Sequence, residues 1–170
     1  MKLRYIYEFF TFVSVVLMQV LLFNHITLFG YATPILYIYF LIKLPLGRNL
    51  FFVIISAFLL GLCVDVFMNT PGMNAAATTL VACFRKPMLS AFSSREDYED
   101  FIPGMYVSSG SFVRFCLFFV VLHLTILFFI ESFTLFNLKQ TLLRIVSSAA
   151  LSLILIFAID SLIFNTVKRE

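Results

Sequence analysis

The feature that most constrains this chain is the near absence of charge over long apolar stretches. Between Arg48 and Arg85 the only charged side chain is Asp65. Of the 170 residues, 62% are hydrophobic and 12% are charged, whereas soluble domains are roughly half apolar and about a quarter charged. A soluble fold of this size could not bury so much apolar surface. The lipid bilayer is therefore expected to be the solvent, and the length suits a compact bundle of about six spans.

The apolar runs predict an all-α membrane protein that forms one transmembrane domain of six helices. Lys2 and Arg4 precede the first run, but no small-residue cleavage site follows it, so this run is expected to stay as a span. Of the 12 lysines and arginines, ten fall on the side of the N-terminus, which predicts that both termini are cytoplasmic. The expected spans are 8–28, 32–46, 50–69, 73–92, 112–136 and 138–166, with a cytoplasmic loop or surface helix over 93–111.

A polar turn joins the third and fourth predicted spans. At 1.5 Å per residue, Asp65 lies roughly 10 Å along the helix from Gly72, at the edge of the apolar slab. It is either a polar hinge that faces protein inside the bundle, or a helix end where Asp65 and Asn69 bond the backbone of the turn. Small residues around it favour close helix packing. The turn and its approach contain Gly61, Asp65, Asn69, Pro71, Gly72 and Asn74.

Two pairs of opposite charges lie level with each other in the predicted hairpin of the last two spans. A turn near residue 137 brings Arg114 to the depth of Asp160, and Glu131 to the depth of Arg144. Pairing would lower the cost of placing each charge in lipid. The alternative is that all four side chains extend to the nearest headgroups.

Mid-span His123 is expected to be a hydrogen-bonded packing residue, because a metal site needs several ligands. Asp65 and Asp160 are expected about 20 Å apart in a slab of roughly 30 Å, so they cannot share a proton as a catalytic dyad does. The chain carries no phosphate-binding loop and no zinc-protease or serine-hydrolase motif. It also has no basic, aromatic-interleaved patch for nucleic acid. We therefore expect neither an enzyme nor a nucleic-acid binder, and no cofactor or metal.

Residues 20 to 90 resemble a known family, while 112–170 agree with it only in composition. The similarity is to the rod shape-determining MreD family, in its Bacteroidetes form. It rests on Asn24-His25-Ile-x-Leu-Phe-Gly30-x-Ala-Thr-Pro34-x-Leu-Tyr37, on Leu44-Pro45, and on Gly61-Leu-x-x-Asp65-x-Phe-x-Asn69-Thr-Pro-Gly72-Met-x-Ala75-Ala-Ala.

This resemblance implies a non-catalytic scaffold of the bacterial inner membrane that supports lateral peptidoglycan synthesis and rod shape. Its implied partners are MreC, MreB filaments, RodA and an elongation-class penicillin-binding transpeptidase. The fold is expected to be similar to the substrate-binding subunits of energy-coupling-factor vitamin transporters, an argument from analogy. The turns at Asn24–His25 and Asp65–Asn74 would then border an outward pocket, and the outer half of the bundle would bind MreC. The alternative function is a vitamin-binding transporter subunit.

Overall fold

The structure is a computed structural model that describes residues 2–23, 32–92, 102–132 and 137–167, and most of these residues are helical. The first helix continues as a π-helical turn over Gln19–Phe23. The helices are α1 (Lys2–Met18), α2 (Tyr39–Lys43), α3 (Leu50–Met68), α4 (Met73–Phe92), α5 (Met105–Glu131) and α6 (Leu138–Val167).

Four of the described helices are long and apolar enough to cross a membrane: α1 with its π-helical turn, α3, α5 and α6. The chain is therefore a helical membrane protein. Helix α4 is also 20 residues long, but it carries Arg85, Lys86 and Pro87 and is not one of the four. The six crossings expected from the sequence thus exceed what these helices establish.

The bounds of α3, α4 and α6 agree closely with the predicted spans, but α1 and α5 begin earlier than predicted, at Lys2 and at Met105. Residues 105–111 were expected in the 93–111 loop and are instead the first turns of α5, with a break at Ser108 (φ −160°, ψ 95°). The start of the helix is fixed because Asp160 on α6 accepts a hydrogen bond from the Met105 amide, at 2.9 Å. Residues 93–101 lie outside the described part of the chain.

The predicted helix over 32–46 is not formed. These residues, which we term the core segment, are extended or irregular except for the single turn of α2. Pro34 and Pro45 flank the segment, and a residue before proline is disfavoured in the helical region. Such backbone is tolerated at membrane depth only where protein surrounds it. The core segment meets this condition, since Leu36, Ile38 and Leu41 are each 0% exposed.

Two serines of α6 bond the first part of the core segment. The amide of Thr33 donates to the Ser148 hydroxyl at 3.1 Å, and the amide of Ile35 donates to the Ser152 hydroxyl at 2.8 Å. Both serines are 0% exposed. Serine is small enough to let the segment approach α6 and polar enough to replace a missing backbone partner.

Gln19 bonds the next stretch of the core segment from the π-helical turn. Its amide oxygen accepts from the Leu36 amide at 2.7 Å, and its amide nitrogen donates to the Pro34 carbonyl at 3.1 Å. A carboxamide carries both donor and acceptor, so one side chain satisfies a backbone N–H and a backbone C=O. The widened π-helical turn begins at this residue.

Arg85 on α4 bonds the other end of the core segment. Its guanidinium donates to the carbonyl oxygens of Leu41, Leu44 and Pro45, the last at 3.4 Å. The side chain is 2% exposed, so it faces the interior of the bundle. The planar fork of five N–H donors is suited to reach several carbonyls at once.

Replacing Arg85 by methionine should destabilise the bundle by about 2–4 kcal/mol, because buried carbonyls lose charged donors. The check is thermal unfolding in detergent micelles, followed by far-UV circular dichroism. The matched control is Lys86→Met, since Lys86 is the next residue and is exposed. Equal midpoints for the two variants would contradict the role of Arg85.

Helices α3 and α4 form a close antiparallel hairpin. Ala57 on α3 and Ala77 on α4 are both 0% exposed. A Cβ placed on Gly61 would meet the Thr78 hydroxyl and the backbone of Ala75, whose amide nitrogen lies at 2.6 Å. The two backbones therefore approach closely enough to require glycine at this position.

The Gly61→Ala variant should lose about 1–3 kcal/mol of stability, because the rigid backbone of α4 cannot move away from one methyl group. Gly110→Ala is the control, since a Cβ there would have nothing within 4 Å. The same unfolding measurement should give the control a midpoint equal to or above wild type. If Gly61→Ala unfolded at the wild-type temperature, the close contact would be refuted.

Candidate functional site

Asp65, near the end of α3, holds the start of α4. Its carboxylate accepts hydrogen bonds from the backbone amides of Asn74, at 3.0 Å, and of Ala75, at 2.8 Å. It also accepts the Thr70 hydroxyl and the side-chain amide of Asn74. The first amides of a helix lack internal partners and carry partial positive charge, so an anion there is favourable. Asp65 is 2% exposed. Asp65 therefore bonds the backbone of the turn, as the second alternative predicted, and its burial also agrees with the first alternative, in which it faces protein inside the bundle.

The turn between α3 and α4 is shaped by two residues with positive φ. Asn69 ends α3 in the left-handed conformation (φ 54°, ψ 41°), and its amide bonds the Asp65 carbonyl. Gly72 has φ +75° and precedes the first residue of α4. The Asn69 side chain is exposed, so this residue contributes through its backbone. Left-handed conformation is accessible to glycine and, less readily, to asparagine.

A chain of buried hydrogen bonds extends from this turn into the centre of the bundle. Asn74 accepts the hydroxyl of Tyr37, at 2.8 Å, and the same hydroxyl lies 2.9 Å from Nε2 of His123. Because the single phenolic proton goes to Asn74, the imidazole donates from Nε2 and keeps Nδ1 unprotonated. We term Asp65, Asn74, Tyr37 and His123 the polar chain. It connects α3, α4, the core segment and α5.

A cavity of about 160 Å³ lies beside the polar chain, at the end of the bundle where α3 meets α4. Tyr37 and Asn74 of the polar chain reach it. The cavity is lined by Gln19, Phe23, Thr33, Pro34, Ile35, Tyr37, Met68, Thr70, Met73, Asn74, Leu127, Phe128, Glu131 and Arg144. All the described elements that end on this side therefore contribute a wall.

Glu131 and Arg144 form an ion pair at this cavity. A guanidinium nitrogen of Arg144 lies 3.0 Å from the Glu131 carboxylate, and the two side chains are 30% and 37% exposed. The guanidinium also stacks 4.8 Å above the ring of Phe128. The structure thus contains the second of the two charge pairs predicted from depth.

The first predicted pair, Arg114 with Asp160, is not formed. Asp160 is 1% exposed and is bonded by Lys43, by the Tyr39 hydroxyl and by the Met105 amide. Arg114 is exposed, and its Nε donates to the Gly110 carbonyl at 3.1 Å. The reason is the rotation of α5, whose inward positions are Phe112, Phe115, Cys116 and Phe119. Two residues at the same depth in the bundle can still point to different sides of their helices.

A wider groove of about 340 Å³ opens between α1 and α3, toward the other end of the bundle. Glu8 lies in it and accepts two hydrogen bonds from Arg48, at 3.1 and 2.6 Å. Arg48 also stacks 4.2 Å above the ring of Tyr5. The other lining residues are mainly aromatic: Phe9, Phe12, Phe40, Phe52, Ser56 and Leu59.

Six of the twelve predicted site residues lie in one hairpin, but several important residues were not predicted. Asp65, Asn69, Pro71, Gly72 and Asn74 share the α3–α4 turn, and Gly61 lies farther along their contact. Asn24 and His25 lie outside the described residues. The residues that were not predicted are Gln19, Lys43 and Arg85, which all bond the interior of the bundle. The available signal was a strongly polar side chain within a run of apolar neighbours.

Among the residues that the structure describes, no group of three His, Cys, Asp or Glu side chains could hold a metal ion. Comparisons with family models, curated proteins and solved structures find no match for this chain.

Asp65→Asn should destabilise the hairpin by about 2–4 kcal/mol, because one amide oxygen replaces two acceptors and an NH₂ group faces backbone donors. The control is Asn69→Gly in the same turn, which should change stability by no more than about 0.5 kcal/mol because glycine adopts positive φ without strain. Thermal unfolding in micelles measures both. A stable Asp65→Asn variant would disprove the capping role.

Proposed function

We propose that this chain is a non-catalytic scaffold of the bacterial inner membrane that supports lateral peptidoglycan synthesis and rod shape by binding MreC. MreB, RodA and an elongation-class penicillin-binding transpeptidase are further members of the proposed complex. In this proposal the chain crosses the membrane six times, with α4 and the core segment as the two crossings beyond the four apolar helices. Both termini then face the cytoplasm, and the α3–α4 turn faces outward.

The observation that carries the proposal is that the acid of the MreD-like motif is buried and holds a hairpin together. Asp65 receives four donors from Thr70, Asn74 and Ala75, three of them on one carboxylate oxygen and one on the other. Asp160 is similarly engaged by Lys43, Tyr39 and the Met105 amide. These acids serve rigidity, which suits a platform for another protein.

The outer end of α3 is a suitable contact surface for a partner helix. Phe67 is 64% exposed and Val66 is 71% exposed, while the turn beside them is held rigid by Asp65. A rigid surface loses little conformational freedom on binding, so more of the contact energy is retained as affinity.

The second candidate is a vitamin-binding subunit of an energy-coupling-factor type transporter, and the cavity beside the polar chain is the observation in its favour. Its volume of about 160 Å³ is below the roughly 300–1,000 Å³ of pockets for drug-sized ligands. The scaffold therefore fits the geometry better. A screen of vitamins by thermal shift separates the two, since strong stabilisation by one vitamin would favour the transporter subunit.

Cysteine cross-linking to MreC tests the scaffold. We expect Phe67→Cys, in a background of Cys63→Ala and Cys83→Ser, to cross-link to MreC in membranes through a maleimide–benzophenone reagent, which bonds the cysteine and, on illumination, a neighbouring C–H group of the partner. Phe51→Cys is the matched control, because Phe51 is 75% exposed at the opposite end of the same helix.

A cross-link from Phe67→Cys and not from Phe51→Cys supports docking at the α3–α4 end. A cross-link from Phe51→Cys alone would move the contact to the other end of the bundle, near the groove between α1 and α3. If neither variant cross-linked, and MreC did not co-purify with the wild-type chain, the scaffold proposal would fail.

A further inference from the structure

The volume of the cavity beside the polar chain matches one side chain. It measures about 160 Å³, and an apolar cavity of roughly 150 Å³ holds one benzene molecule. A single aromatic ring or a branched aliphatic group therefore fills it.

The walls of the cavity favour an apolar group. Phe23, Ile35 and Leu127 contribute hydrocarbon surface, and Met68 and Met73 add flexible thioether chains. Methionine adapts its shape to different apolar groups. The polar groups that reach the cavity from the polar chain, Tyr37 and Asn74, are already bonded to each other.

The Glu131–Arg144 pair gives the cavity a donor and an acceptor side by side. Each side chain keeps about a third of its surface exposed, so both can bond a second group. A peptide unit also carries one donor and one acceptor, and it complements such a pair without net charge. A phosphate headgroup would meet the repulsion of Glu131 as well as the attraction of Arg144.

We propose that this cavity is a socket for one apolar side chain of a peptide segment, whose adjoining backbone bonds Glu131 and Arg144. The side chain is phenylalanine, leucine or isoleucine. The inference rests on the proposed function only for the identity of the partner, which would be a segment of MreC near its membrane span. The socket itself is a property of this chain.

The direct test uses the purified full chain in nanodiscs and a minimal probe, N-acetyl-L-phenylalanine amide, titrated by NMR. We expect saturable binding in the millimolar range, and no saturation with N-acetylglycine amide at the same concentrations. Filling the socket with Met73→Phe should weaken the binding at least tenfold. Leu127→Phe fills the same space from α5 and replaces Met73→Phe if that variant does not fold.

Two further variants test whether a loss of binding comes from the cavity itself or from a change elsewhere in the protein. Arg144→Gln should weaken binding of the probe about three- to tenfold, because the backbone of the probe loses its charged hydrogen-bond donor. Arg114→Gln is the control, since Arg114 is exposed on α5 and does not line the cavity, and it should bind as wild type does. Equal binding by wild type and both filled variants would overturn the socket. Displacement of the probe by octanoate or phosphatidylglycerol at matched concentration would also overturn it, in favour of a lipid site.

Co-purification of MreC distinguishes the socket from the proposed function. If wild type retains MreC and Met73→Phe loses most of it, both proposals are supported. If the probe binds but MreC does not, the socket stands and MreC is rejected as the partner. If MreC is retained equally by wild type and the filled variants, the scaffold stands and the socket is rejected as its contact.

Discussion

The fold depends on satisfying the backbone of the core segment away from water. Residues 32–46 run through the centre of a membrane bundle with only one turn of helix, so most of their amides and carbonyls lack the partners that a helix would supply. Side chains from three surrounding elements take that role: Gln19 from the π-helical turn, Ser148 and Ser152 from α6, and Arg85 from α4. Burying a backbone group without a hydrogen bond in this setting costs several kcal/mol of stability. These few polar residues therefore fix how the apolar helices assemble around the segment.

The two buried aspartates apply the same principle at opposite ends of the bundle. Asp65 accepts amides at the start of α4, and Asp160 accepts the amide at the start of α5. In each case an acid on one helix accepts hydrogen bonds from the first amides of another, which lack partners within their own helix and where the helix dipole favours negative charge. Asp160 also forms an ion pair with Lys43, which neutralises its charge within the bundle. Both acids thus hold helix ends in place.

The candidate site follows from this arrangement. Because the core segment enters as extended backbone, it does not fill the end of the bundle as a helix would, and a cavity of about 160 Å³ remains beside Tyr37. The polar chain from Asp65 to His123 keeps one wall rigid. The Glu131–Arg144 pair supplies hydrogen-bonding groups at the same end. A rigid wall, a small apolar volume and an ion pair without net charge are the features on which the proposed peptide socket rests.

The sequence by itself determined the membrane class and the α3–α4 hairpin, and it offered the pairing of Glu131 with Arg144 as one of two alternatives. These depend on local properties: the length of an apolar run, the turn residues from Asn69 to Gly72, and equal depth in a short-looped hairpin. Only the tertiary structure decided that 32–46 is not a helix, that Arg85 faces inward, and that Asp160 pairs with Lys43 and not with Arg114. Those outcomes depend on the rotation of each helix and on which distant backbone groups lack partners. Hydropathy along one chain does not encode that information, because lipid-facing and core-facing positions are equally apolar.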